Sequence, residues 1–248
     1  MLISNHLQHY KSALLILPQG TSLSKEELQV DKLLMERSGK IEMYYAPHNE
    51  YLNPVAKVMI IGLTPGFTQM KSAIQEAVTA LQAGHCDEEV CRQAKEAARF
   101  AGSMRTMLIH MLDALKLHQY LNLTSCAELF QAEQTALHTT SLLRFPVFVD
   151  KKNYSGAHPN LLSNRWLSDY ALSFIEEELN ILRRALVIPL GKTVENMLLK
   201  LVNEGKLDPG RCLWGFPHPS GANGHRFKQF ASHQENMMKI LEAHSWYN

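Results

Sequence analysis

The stretch Val55-Ala56-Lys57-Val58-Met59-Ile60-Ile61-Gly62 decides how the rest of the chain is interpreted. It is short, apolar and rich in β-branched residues, and it stops at a glycine. This pattern is typical of a strand buried on both faces, as in a parallel sheet. The loop Leu63-Thr64-Pro65-Gly66-Phe67-Thr68 follows at once. Proline fixes φ and glycine permits unusual backbone conformations, so an ordered loop is expected.

Three further apolar runs predict strands downstream, over residues 137–143, 185–190 and 211–216. Strands that alternate with helices predict a three-layer α/β/α fold with a four-stranded parallel sheet. A Met and Leu stripe over residues 104–115 predicts a core helix, not a cofactor site. The other helices are predicted over residues 75–81, 164–184, 194–202 and 229–244, with one more beginning at Asp87.

Ligands of such folds bind beyond the carboxyl ends of the parallel strands. The loops at 64–68, 141–156, 191–192 and 218–226 are therefore expected on one rim. The last of them belongs to the stretch Gly215-Phe216-Pro217-His218-Pro219-Ser220-Gly221-Ala222-Asn223-Gly224-His225-Arg226, which surrounds one histidine with turn-forming residues. A histidine between two prolines is expected in a shaped, tight loop. The sequence thus predicts a site that includes His218.

Composition limits the class of protein. The 248 residues, 46% of them hydrophobic, suit one large domain with an extension. Residues 1–50 are interpreted as a helical N-terminal extension and residues 51–248 as the α/β domain. The formal net charge is +1, so any nucleic-acid contact must come from a local patch.

Cysteine usage and hydropathy exclude several kinds of site and location. The four cysteines form no CxxC pair, which favours free thiols in a reducing compartment and predicts no cofactor, zinc ion or iron–sulfur cluster. The polar first ten residues contain no apolar signal region, and no apolar run is long enough to span a membrane. We expect a monomer in the cytoplasm or nucleus that is not secreted.

Two motifs carry a resemblance to a known family. Residues 58–66, a strand followed by Gly-x-x-Pro, resemble the first motif of the uracil-DNA glycosylase superfamily. His218-Pro219-Ser220-Gly221 resembles its second motif, His-Pro-Ser-x. Weaker similarities lie between them in the expected order, at Phe100-Ala101-Gly102, at residues 140–146 and at residues 186–192. Together the similarities cover about residues 55–240.

The resemblance implies an enzyme of base-excision repair, with DNA as its partner. Members hydrolyse the N-glycosidic bond of uracil or another deaminated or damaged base that is flipped out of the DNA stack. His218 matches the histidine that hydrogen-bonds the leaving base, and Thr64 stands where many members place the Asp or Asn that orients water. Motif one contains no carboxylate. Threonine cannot replace one as a general base at neutral pH. No lyase step is expected.

The resemblance also assigns base-binding residues. Gly66 stands where uracil-specific members carry a bulky Tyr, which implies a roomier pocket unless Phe67 enters it. Ser141 stands where a base-reading Asn is expected, and Asn122, Asn153 or Asn164 could replace it. Three further residues are assigned to the same pocket. Leu63 stands where the iron–sulfur branch has an acidic residue, and Pro65 belongs to motif one. Phe100 matches an aromatic that stacks on the base.

The DNA contacts implied by the resemblance lie in the His218 loop. Ser220, Gly221, Ala222 and Asn223 match the segment that pinches phosphates and enters the base stack. Arg226 and Lys192 could add positive charge at the same rim. Two other interpretations remain open: a catalytically degenerate relative that binds single-stranded nucleic acid or a nucleotide, and an unrelated α/β enzyme of small molecules.

Overall fold

A computed structural model of the chain describes residues 1–18, 22–131 and 134–246. The chain divides into two compact units. The first unit comprises residues 1–52, 64–99 and 143–167, and the second comprises residues 53–63, 100–142 and the chain from Ser168 onwards. The predicted extension, residues 1–50, therefore folds together with later segments of the chain. The unit boundary after strand 58–62 falls between Leu63 and Thr64.

The helices and strands of the two units follow one another along the chain. The first unit contains α1 (His6–Leu15), α2 (Lys25–Leu28), β1 (Leu34–Ser38), β2 (Ile41–Tyr44), α3 (Phe67–Gln82), α4 (Asp87–Ala98), β5 (Val147–Val149) and β6 (Lys152–Asn153). The second contains β3 (Val58–Gly62), α5 (Gly102–Ala114), α6 (Leu117–Tyr120), β4 (Leu137–Ser141), β7 (Leu186–Pro189), α8 (Lys192–Asn203) and α9 (Arg226–Ala243). Helix α7 (Arg165–Ile181) runs from the first unit into the second.

The second unit holds the parallel sheet, which has three strands in the order β4-β3-β7. Residues 58–61 of β3 are completely buried, as the continuous apolar run predicts. The prediction of a fourth strand over residues 211–216 is wrong. Pro209 begins a 3-10 turn that ends at Arg211. Within the described residues the backbone of 211–216 pairs with the sheet only at an isolated Cys212–Val187 bridge and through a 2.9 Å hydrogen bond from Leu213 N to the Val187 carbonyl.

The first unit holds a second, antiparallel sheet in the order β1-β2-β5-β6. Residues 1–50 are thus not only helical, because they supply the β1–β2 hairpin. Strands β5 and β6 come from the segment predicted as a loop after β4. Asp150 and Lys151 join them with φ values of +48° and +61°, which is the backbone that a tight two-residue hairpin requires.

Helices pack the core of the second unit as the periodicity predicts. Leu108, Met111 and Leu112 of α5 are buried against Val58 and Ile60 of the central strand. The Met stripe is therefore core. Within the described part of the chain, no helix is both long and apolar enough to cross a membrane.

Candidate active site

His218 lies in the second unit, in the loop between the Cys212 bridge and α9. Gly191, two residues beyond the end of β7, donates its backbone N–H to the Phe216 carbonyl at 3.0 Å. A Cβ on Gly191 would lie 3.1 Å from the Cβ of His218, and its φ is +86°. Only glycine combines this backbone conformation with so close an approach. The Gly191 turn therefore fixes the position of His218 beside the carboxyl end of β7.

The protonation of His218 follows from its surroundings. The backbone N–H of Ser220 donates to Nδ1 at 3.2 Å, which leaves the ring proton on Nε2 in the neutral tautomer. Burial lowers the pKa of His218, so the neutral ring is the stable form at neutral pH. Within the described residues Nε2 donates to no protein acceptor. The loop thus presents one neutral N–H donor with a fixed orientation.

The rest of the loop braces His218. The side-chain amide of Asn223 donates to the His218 carbonyl at 3.2 Å and to Gln229 Oε1 at 2.8 Å. Arg226 Nη1 donates to the Asn223 carbonyl at 3.0 Å. Ser220 Oγ accepts from the Ala222 N–H at 3.2 Å. Asn223 and Arg226 therefore act first as supports, and the exposed tip consists of Gly221 and Ala222.

Phe227 is a residue that sequence reasoning missed. Its side chain is 60% exposed at the start of α9, and the guanidinium of Arg226 lies 4.7 Å from its ring centroid. The neighbouring Lys228 is also exposed. An aromatic between two cations, directly after the predicted loop, is the signal that could have identified it, because this combination suits stacking on nucleic-acid bases.

Four other predicted site residues also belong to the second unit. Ser141 ends β4 and Leu63 follows β3. Phe100 is 9% exposed and packs in the hydrophobic core, so most of its contacts are with other core side chains. The Lys192 ammonium forms a 2.6 Å ion pair with Glu195, which reduces the positive charge it presents to a ligand.

Thr64 and the residues after it belong to the first unit. Thr64 Oγ1 donates its proton to the Phe145 carbonyl at 3.1 Å and accepts from the Val147 N–H at 3.0 Å. One lone pair of the hydroxyl oxygen remains. Pro65 is buried, and Gly66 precedes the first turn of α3. The Thr64 hydroxyl is thus held by backbone and can act on a water molecule only as an acceptor.

Asn153 lies against this same loop. Its Oδ1 accepts from the Phe67 N–H at 3.0 Å, which caps α3 and fixes which way the amide points. Its Nδ2 lies 3.3 Å from the place where a Cβ of Gly66 would be. Of the other two asparagines considered as replacements at position 141, Asn164 caps α7, and Asn122 occupies a turn position after α6 with a φ of +57°. Asn153 presents beside Gly66 an amide donor that makes no hydrogen bond to any described residue.

Comparison with known proteins gives two matches. A sequence model of the uracil DNA glycosylase superfamily matches residues 50–242. The chain is also similar to the uncharacterized protein YoxB of Bacillus subtilis (strain 168), with 42% identity over 224 residues, which cover 90% of this chain and 88% of YoxB. No solved structure gives a significant match.

Proposed function

Because the chain belongs to the uracil DNA glycosylase superfamily, we propose that it is a DNA glycosylase. It hydrolyses the N-glycosidic bond of uracil or another deaminated or damaged base flipped out of DNA, and it leaves a free base and an abasic site for base-excision repair. The observation that carries the proposal is the neutral His218 ring with its unused Nε2–H.

The reaction requires a hydrogen-bond donor at the leaving base. As the bond between the sugar C1′ and the base nitrogen breaks, the electron pair goes to the base, which becomes an anion. The Nε2–H of His218 donates to that developing charge, and a preorganised donor of this kind contributes roughly 10²–10³ in rate. Water then attacks the oxocarbenium-like sugar and releases a proton to solvent.

The residues assigned to the attacking water contribute less to the reaction than the donor to the leaving base. The remaining lone pair of Thr64 Oγ1 accepts a hydrogen bond from the attacking water but does not remove its proton. Motif one contains no carboxylate. The reaction therefore depends chiefly on stabilising the leaving base.

Asn153 is assigned to base selection in place of Ser141. The bond from the Phe67 N–H to Oδ1 orients the amide so that its Nδ2 donor is the atom nearest to Gly66. A donor favours a base that presents a carbonyl, such as uracil or hypoxanthine, over one that presents an amino group. This matches the chemistry of deaminated bases.

Asn153→Asp tests this assignment. The carboxylate keeps an acceptor for the Phe67 N–H and suits the start of α3, so we expect unchanged thermal stability. It removes the donor and adds a repulsive charge, so excision of uracil should fall by about 10-fold or more. The measurement is single-turnover excision, with Asn164→Asp, at the cap of α7, as the matched control. Unchanged excision by Asn153→Asp would remove Asn153 from base selection.

Phe227 and Arg226 are assigned to the DNA contact. Phe227→Ala should weaken binding of a uracil-containing oligonucleotide by about 5- to 150-fold, because stacking on a base is worth about 1–3 kcal/mol. Fluorescence anisotropy measures the affinity, and Leu199→Ala, another exposed apolar side chain of the second unit, serves as the control. Equal affinities for the two variants would contradict the assignment.

The test of the function itself is a strand-break assay. The protein is incubated with single- and double-stranded oligonucleotides that contain uracil, hypoxanthine or xanthine, and alkali then cleaves any abasic site. Strand breaks that require His218 support the glycosylase. The engaged Thr64 hydroxyl favours one alternative, a relative that binds single strands or a nucleotide without catalysis. Binding without breaks would support that alternative.

A further inference from the structure

Three potential metal ligands converge in the second unit, at residues that the glycosylase proposal does not use. They are Asp113 near the end of α5, His118 in α6 and Cys126 at the start of the 3-10 helix Cys126–Phe130. One ligand atom of each lies within 4.8 Å of the other two. Cys126 is completely buried, whereas the side chains of Asp113 and His118 are 31% and 19% exposed.

One ring nitrogen of the histidine in this cluster has no hydrogen bond. His118 Nδ1 is buried and lies 3.2 Å from Asp113 Oδ1, yet it makes no hydrogen bond within the described part of the chain. A buried nitrogen without a partner costs about 1–3 kcal/mol. A cation between Nδ1 and the carboxylate would give this nitrogen a partner.

Asp113 is held in place by its other contacts. Its Oδ2 accepts from Ser125 Oγ at 2.7 Å, and its Oδ1 accepts from the Cys126 N–H at 2.7 Å. A carboxylate has about four lone-pair sites, so both oxygens keep acceptor capacity. Such outer hydrogen bonds orient a metal-binding carboxylate.

We propose that Asp113, His118 and Cys126 bind one zinc ion, with water as the fourth ligand. Zinc accepts thiolate, imidazole and carboxylate ligands together, and thiolate disfavours magnesium and calcium. Zinc–ligand bonds of 2.0–2.3 Å place neighbouring ligands about 3.3–3.8 Å apart. The Asp113–His118 separation of 3.2 Å is close to this range, and the widest separation must contract by at most about 1 Å. Binding replaces the Cys126 thiol proton, which goes to solvent. The ion joins α5, α6 and the Cys126 turn.

The test uses the full chain after treatment with a chelator. Titration with zinc against a chromophoric competitor should give one equivalent bound with a Kd on the order of 1 µM or tighter. Zinc should also raise the Tm, because it binds the folded state. Cobalt in place of zinc should produce thiolate-to-metal charge-transfer absorption.

Two variants decide the outcome. His118→Gln, at a partly exposed position, removes a direct ligand. Zinc binding should therefore weaken by at least roughly 10- to 100-fold, the loss caused by removing an outer-shell partner. Cys126→Ser should abolish the charge-transfer band. Cys86→Ser removes an exposed thiol of the first unit and is the control. Failure of the wild-type chain to bind zinc, or binding that survives both His118→Gln and Cys126→Ser, would overturn the proposal. Neither result bears on base excision.

Discussion

His218→Ala is expected to lower the rate of base excision by roughly 100- to 1,000-fold, because it removes the fixed donor to the leaving base. The fold should persist, since among the described residues His218 makes only the Ser220 and Asn223 hydrogen bonds of its own loop. Asn223 bonds the backbone carbonyl, which alanine keeps. Single-turnover cleavage of a uracil-containing oligonucleotide measures the rate. His225→Ala, at an exposed histidine of the same loop, is the matched control and should retain activity.

The pH dependence of excision gives an independent check on His218. Burial lowers its pKa, so the ring stays neutral as the pH falls through 6.5, the ordinary value for histidine. Excision by the wild type should therefore remain constant across that value and decline only at lower pH, where the ring gains a proton and the bond from the Ser220 N–H is lost. A decline centred on 6.5 would contradict the buried, neutral donor, and equal rates for His218→Ala and His225→Ala would contradict the catalytic role.

His48 is expected to make the protein sensitive to acid. Its side chain is 3% exposed in the first unit, and both ring nitrogens lack hydrogen-bond partners among the described residues. Burial, with a smaller effect of the Lys95 charge, lowers its pKa to about 3. The unfolded chain binds the proton from about pH 6.5 downward and the folded chain does not. The free energy of unfolding should thus fall by about 1.4 kcal/mol per pH unit below 6.5, and by about 4 kcal/mol in all at pH 3, where the folded chain also begins to bind the proton.

His48→Leu should remove much of this slope. An apolar side chain of similar volume leaves no buried nitrogen unsatisfied, so the variant should be as stable as the wild type at pH 7 and more stable at pH 5. Urea unfolding at a series of pH values measures the difference. His9→Leu, at an exposed histidine of the same unit, is the control and should keep the wild-type slope. Parallel slopes for the His48 and His9 variants would show that His48 does not titrate as described.

Local signals predicted much of the fold. The run at 55–62, the stripe at 104–115 and the helix start at Asp87 predicted β3, α5 and α4. The same signals failed at residues 211–216 and at the β1–β2 hairpin. An apolar run next to Pro209 could not reveal how little of it pairs with β7, and the hairpin depends on pairing with β5 from a distant part of the chain.

Some features of the candidate site could likewise be predicted from the sequence, and others could not. The chain positions of His218 and Thr64 and the absence of a motif-one carboxylate were readable from the sequence. The engagement of the Thr64 hydroxyl, the exposure of Phe227 and the meeting of Asp113, His118 and Cys126 were not. The sequence-based expectation of no zinc site considered only cysteine spacing.

The sequence by itself determined three buried parallel strands, the helices around them and the tight turn at His218, because burial on both faces and tight turns leave continuous, local patterns of residues. The tertiary structure alone decided which polar groups face one another. The bond from the Phe67 N–H to Asn153 joins residues 86 positions apart, and the neutral tautomer of His218 depends on burial and on the turn back to Ser220. The hydrogen-bond partners of a polar side chain are set by packing, which leaves no trace in the residues beside it.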